Sequence, residues 1–189
     1  MKHSIPKKIV LIGASTGGPG QIQKIIDALP KLQNTSIVIA QHMIASFLKS
    51  FANNLSINNN VVIADGEEEF LNATIYICNG NIDLVLYNDK ICFRSNKAVN
   101  SYNPNINMVF NSFVPLSQSS KILCAILTGI GDDGVEACKN LSEHNVECLT
   151  ESEQSAIVDG MPNRVRELVP NVQVMDIQEI VTKIKEFCE

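Results

Sequence analysis

Buried-looking apolar runs alternate with segments of helical spacing along the first third of the chain. KKIVLIG, residues 7–13, reads as a short buried strand. Pro19 to Leu29 carries apolar residues at 22, 25, 26 and 29, a helical spacing, with Pro19 where a first-turn proline is tolerated. TSIVIAQHM, 35–43, is a second apolar run. Residues 46–55 return to helical spacing at 47, 48, 51, 52 and 55, and NNVVIA supplies a third strand. Strands that alternate with amphipathic helices, and are themselves apolar throughout, belong to a parallel sheet covered on both faces.

The middle of the chain has a different pattern. Three strand-like pieces, 74–78, 83–87 and 90–94, are separated by polar turns, and Tyr87-Asn88-Asp89-Lys90 is tight enough for a hairpin. All three are expected to form a β insertion on the parallel sheet. Helical spacing then returns over 103–118, at 106, 109, 110 and 113. KILCAILTG is the most apolar strand. DDGVEACKNLSEH follows as a helix, with Asp132 and Asp133 at a start that favours acids. VECLT is a strand, and DIQEIVTKIKEF a last amphipathic helix. The pattern predicts an α/β fold, a doubly wound and mostly parallel sheet with helices on both faces and a β-hairpin insertion. One domain over residues 1–189 fits the length.

Composition narrows the function. The absence of Trp, an aromatic content of 5% and a net charge of −5 argue against a nucleic-acid surface, since stacking platforms and basic tracks are both missing. The six cysteines form no CxxC pair and several lie in apolar runs, the pattern of reduced core thiols. With no HExxH or cysteine pair, no metal site is expected. The apolar stretch Ile9 to Ile12 is too short for a signal peptide or a membrane span, so a cytoplasmic location without membrane insertion is expected.

Chemistry concentrates at the C-terminal ends of the predicted parallel strands, where ligands collect in such sheets. The first strand runs into Ser15, the second into His42, and KILCAILTG into Thr128-Gly129-Ile130-Gly131-Asp132-Asp133-Gly134. A serine, a histidine and a carboxylate on one edge are the inventory of a nucleophile, its base and the group that orients the base. Gly13-Ala14-Ser15-Thr16-Gly17-Gly18 fails the dinucleotide fingerprint at its second glycine and lacks the Lys-Ser/Thr of a P-loop, yet phosphate binding is a second reading of such a turn. Of the three histidines, His3 is near the N-terminus and His144 ends a helix, which leaves His42 as the base. Either Asp132 or Asp133 could meet His42 while the other caps the helix. The glycines at 129, 131 and 134 suit a turn that presents N–H groups to an oxyanion.

At these residues the chain resembles the catalytic domain of the bacterial chemotaxis protein-glutamate methylesterase (CheB) family. The matching stretches are IGASTGG, AQHM followed by SFLKSFANNLS, ADGE, ATIYICNGN, LTGIGDDG and VDGMPNRV. The resemblance implies hydrolysis of glutamate methyl esters on chemoreceptors, with deamidation of certain glutamines, and no cofactor. It implies Ser15 as nucleophile, His42 as base and Asp133 rather than Asp132 as the orienting acid; on the general triad template, His42 Nε2 is expected to take the Ser15 proton. Thr16 and Ile130 are the candidate oxyanion amides, Ile130 standing where the family usually has Met. Met161 and Arg164 are candidate cleft residues. Ile44 replaces a usual proline, Ile82 and Asp83 stand near a usual histidine, and Asn107 replaces an acid. The implied partners are methylated cytoplasmic receptor helices, met by a monomer. Family members commonly carry an N-terminal receiver domain, and none is expected in this chain. Two other readings are a nucleotide- or phosphate-binding domain and a receptor-binding module with an inactive triad.

Overall fold

The computed structural model of the chain describes residues 5–98 and 101–189, so His3 lies outside the described residues. Its strands are β1 (Lys8–Ala14), β2 (Thr35–Gln41), β3 (Asn60–Ala64), β4 (Thr74–Cys78), β5 (Ile82–Tyr87), β6 (Lys90–Ser95), β7 (Lys121–Ile126), β8 (Glu147–Glu151) and β9 (Gln173–Met175). Seven of them form one sheet in the order β3-β4-β2-β1-β7-β8-β9, and every adjacent pair is parallel. Successive residues of β1 point to opposite faces and feed two separate cores. Val10 and Ile12 pack with α1 (Gly18–Asp27), α2 (Ala45–Leu55) and α6 (Ile177–Cys188), through Ile22, Ile25, Phe51 and Ile184. Ile9 and Leu11 face α3 (Ile106–Asn111), α4 (Val135–Glu143) and α5 (Gly160–Leu168), through Phe110, Leu141 and Val165. Both faces are thus covered, as the continuous apolar strands require.

β5 and β6 make the expected antiparallel hairpin as a separate ribbon. Asn88 and Asp89 both take left-handed backbone angles, φ 50° and 61°, which is what a two-residue primed turn needs. Ile82 and Phe93 anchor the ribbon beside Phe70, Tyr76 and Phe113 in the α3–α5 core.

The segment 74–78 is not part of this insertion. It is β4, buried at all five positions and inserted in parallel between β2 and β3. A short apolar run does not reveal its partner's direction, and only residues 65–73, with buried Phe70, link β3 to β4. Three other boundaries differ from expectation. The helical pattern of 103–118 is a six-residue α3 followed by a 3₁₀ turn, Val114–Gln118, with Pro115 in its first turn. α4 begins at Val135, after an N-cap Gly134 at φ 95°, so Asp132 and Asp133 precede that helix rather than open it. α5 and the three-residue edge strand β9 follow β8, where the sequence pattern predicted no element.

α6 is fixed at its start by a capping box: the Asp176 carboxylate accepts from the Gln178 and Glu179 N–H groups, and Glu179 reaches back to the Asp176 N–H. Asp176→Ala is expected to lower stability by about 1 kcal/mol, read as a shift of the urea unfolding midpoint at unchanged m-value.

Candidate active site

From β1 the chain winds first to one side, through β2, and later to the other, through β7. The crevice at that reversal is where open α/β sheets bind ligands. Ser15 follows β1, His42 follows β2, and Asp133 lies on the loop after β7.

The serine turn is shaped by close packing. Ser15 N–H donates to the Thr128 carbonyl at 3.0 Å, and the Ser15 carbonyl accepts from Gly18 N–H at 2.9 Å. A Cβ on Gly18 would lie 2.0 Å from Gln41 Oε1 and 2.7 Å from Ala14 Cβ, so a side chain has no room there. Gln41, buried in β2, uses the space. Its Nε2 donates to the carbonyls of both Ser15 (2.8 Å) and His42 (3.0 Å), a clip between the two loops. The glycines therefore let α1 start hard against β2 beneath the serine.

His42 Nε2 and Asp133 Oδ2 are 2.8 Å apart. The ring face of His42 stacks on Tyr102, with centroids 4.9 Å apart and planes 10° from parallel. Asp133 is fully buried and holds more than the histidine. Oδ2 also accepts from Ile106 N–H at 2.7 Å and Oδ1 from Asn107 N–H at 2.9 Å, the first two amides of α3. Asn105 caps the third through Met108 N–H. Asn107 in turn accepts from Ala137 N–H in the first turn of α4. Asp133 thus caps α3 while a residue of α3 caps α4, and the exposed Asp132 takes no part in this exchange. One expectation is corrected: Nε2 faces Asp133, and Nδ1 is the ring nitrogen that forms no hydrogen bond among the described residues. Among the described residues Ser15 Oγ forms no hydrogen bond, a looseness common before substrate is bound.

A second buried carboxylate supports the serine from behind. Glu151, fully buried at the end of β8, accepts from Thr128 N–H (2.9 Å), Gln21 Nε2 (2.6 Å) and Ser155 Oγ (2.9 Å). Thr128 Oγ1 donates to the Thr16 carbonyl and accepts from Val158 N–H. The loops after β1, β7 and β8 are joined through this one threonine. Sequence reasoning missed Glu151, Gln41 and Tyr102. The visible trace of Glu151 was an acid directly after the strand-like stretch VECLT.

The cleft expectations need correction. Met161 is 0% exposed and lies under Gly129, whose Cβ would meet its Sδ at 2.3 Å. It is a floor beneath the loop and not a wall open to substrate. Arg164 is on the outer face of α5, paired with Glu167 at 2.6 Å, and makes no hydrogen bond to Ser15, His42 or Asp133. The N–H groups of Thr16 and Ile130 donate to no acceptor among the described residues and are available to a ligand. Cys124, Cys138 and Cys148, unpaired in sequence, bring their sulfurs within 4.8 Å of one another inside the α3–α5 core, where they pack as free thiols. Burial pushes the Cys78 thiol well above its ordinary range and the Cys188 thiol up to about 12, which suits neither to nucleophilic work.

A parallel α/β sheet that brings a strand-end serine, a histidine and a buried carboxylate to its switch point has the architecture and the inventory of a serine hydrolase. The chain belongs to the CheB methylesterase family, whose model matches residues 10–184. The protein-glutamate methylesterase/protein-glutamine glutaminase of Bacillus subtilis is 31% identical over 190 residues, covering 97% of this chain and 53% of the relative. That of Thermotoga maritima is 33% identical over 172 residues, covering 88% and 50%. The chain thus spans about half the length of the curated relatives it matches. The crystal structure of the Thermotoga maritima CheB methylesterase catalytic domain superposes with a TM-score of 0.85 at 31% identity, covering 95% of this chain and 97% of that one.

Two substitutions test the geometry. In Asp133→Asn, whichever way the amide points, its NH₂ faces a backbone N–H of α3. Activity is expected to fall on the order of 10⁴-fold, as in a serine protease that loses its histidine tautomer. Stability should fall by about 1–3 kcal/mol from the unsatisfied donor. Asp132→Asn should change neither, and equal losses in steady-state kinetics would refute the assignment. Gln41→Glu puts an acceptor against two carbonyls and is expected to cost more stability than Gln41→Ala, as read by thermal unfolding.

Proposed function

We propose that this chain hydrolyses methyl esters of glutamate side chains on chemoreceptor helices, and that it deamidates receptor glutamines by the same steps. The observation that carries the reading is the His42–Asp133 pair beside the Ser15 turn, at the one edge of the sheet where strand order reverses. Family membership supplies the substrate class.

Ser15 Oγ attacks the ester carbonyl while His42 Nδ1 takes its proton. Asp133 holds the other ring nitrogen and stabilises the imidazolium. The free Thr16 and Ile130 N–H groups are the candidates to receive the oxyanion. Nδ1–H then protonates the departing methoxide, methanol leaves, and water activated by the same nitrogen opens the acyl-enzyme. With a primary amide, ammonia leaves in place of methanol. Every atom needed is supplied by side chains, backbone and water, so the scheme uses no cofactor and no metal.

The rim favours an apolar partner. Ile130 is 62% exposed, Ile157 lies over Gly17, and Ile44 and Phe47 are exposed where α2 begins after His42. Such a rim suits the side of a receptor helix, with the esterified side chain reaching inward. Among the described residues no helix is long and apolar enough to cross a membrane. The protein is read as a cytoplasmic monomer acting on the receptor's cytoplasmic helices.

The phosphate-binding reading has less support, because Gly17 and Gly18 are accounted for by packing against Ile157 and Gln41. The test is methanol release from methylated receptor membranes. Wild type should release methanol, and Ser15→Ala should reduce the rate by several orders of magnitude at unchanged fold by circular dichroism. A Ser15→Ala rate equal to wild type would refute the nucleophile. Methanol-free binding by wild type would favour an inactive receptor-binding module.

A further inference from the structure

Asp133 fixes one end of the His42 ring but not its plane. A single hydrogen bond to Nε2 does not by itself fix rotation of the imidazole about the Nε2···Oδ2 line. A side chain outside the triad covers one face of the ring. Tyr102 lies flat against the imidazole, with centroids 4.9 Å apart and planes 10° from parallel. That spacing is within the range of offset-stacked aromatic pairs.

Space has been made for the phenol. Gly131 has φ 94°, a left-handed angle that favours glycine, and a Cβ there would lie 2.3 Å from Tyr102 Oη. The same hydroxyl points toward Asp132 Oδ1 at 3.4 Å. The loop after β7 therefore yields to Tyr102 on one side and delivers Asp133 to His42 on the other. Two elements remote in sequence grip one imidazole, along an edge and on a face.

We propose that Tyr102 is a positioning residue for the base, acting through His42 and not on the substrate. This deepens the hydrolase reading and rests on it. The stack has two consequences. It holds the plane of the ring whose second nitrogen, Nδ1, the proposed mechanism uses as the base. It also places the electron-rich face of the phenol against a ring that becomes positively charged as the Ser15 proton arrives, a cation–π interaction that is strongest in the transition state. A contribution made mainly in the transition state appears in kcat and leaves KM little changed. Phenylalanine presents the same face, so the hydroxyl should be dispensable.

The experiment combines kinetics with NMR of the His42 ring. Tyr102→Leu is expected to lower kcat for methanol release roughly tenfold, with KM within about twofold of wild type. Tyr102→Phe should restore kcat to within about twofold. In wild type and Tyr102→Phe, the carbon-bound ring protons of His42 should show the upfield ring-current shift of a stacked partner, and Tyr102→Leu should lose it. Urea midpoints of the three proteins separate this from a loss of folded protein. A Tyr102→Leu enzyme with wild-type kcat, a Tyr102→Phe enzyme as slow as Tyr102→Leu, or unchanged His42 ring shifts would each overturn the proposal. A wild type that releases no methanol would overturn the hydrolase reading itself, and the positioning role with it. That outcome is distinguishable because it appears before any Tyr102 variant is made.

Discussion

The carboxylate of Asp133 is the joint on which the edge carrying Ser15 and His42 depends. It is fully buried, and a buried carboxylate is tolerated only where donors surround it. Here the donors are two backbone amides of α3 and the ring of His42. α3 is only six residues long, too short to persist without help from tertiary contacts. Asp133 stabilises its first turn, and Asn107 of that turn stabilises α4, the helix that Asp133 precedes. The two helix starts therefore form together. Orientation of the histidine follows from an arrangement the fold requires anyway.

The serine is held by a comparable logic with different atoms. Its N–H is fixed by Thr128, its carbonyl by Gln41 and Gly18, and Thr128 is fixed in turn by Glu151. A Cβ on Gly129 would lie 2.7 Å from Ser15 Cβ and one on Gly160 2.7 Å from the Gly129 carbonyl, so these loops touch backbone to backbone. Contacts this close leave little freedom for rearrangement. They suit a site whose rate depends on donors already in place before charge develops.

Much of this was legible in the sequence, for identifiable reasons. β1, β2 and β7 each contain an unbroken apolar run, residues 9–12, 37–40 and 122–126, as strands buried on both faces do. Their C-terminal residues then pointed to the edge that carries Ser15 and His42. β4 was misread because direction and partner are not encoded in a five-residue apolar run, and β9 is too short to carry a period. Local physics left Asp132 and Asp133 open, because the carboxylate is claimed by amides 26 and 27 residues away. The choice of ring nitrogen, the Gln41 clip and the Tyr102 stack are likewise long-range facts. Met161 and Arg164 were near the right loop, but which face of α5 each occupies is decided by packing against Gly129 and by solvent.

The two buried carboxylates divide the work by the partners they have. The Glu151 carboxylate meets an amide N–H, a glutamine amide and a serine hydroxyl, all neutral, so none of these partners would change charge in the proposed mechanism. Asp133 meets two neutral amides and one ring that, in the proposed mechanism, takes up the Ser15 proton. On that reading the same chemical group acts as a fixed strut on one side of the serine and as the counter-charge to a transient cation on the other. An amide in place of either acid could accept no more than part of its hydrogen bonds. For Glu151 that would loosen the loop beneath Ser15. At Asp133 it would both loosen α3 and remove the charge that the imidazolium needs. Among the described residues neither carboxylate is hydrogen-bonded to a lysine or arginine side chain, so both burials cost stability that the surrounding neutral donors must offset.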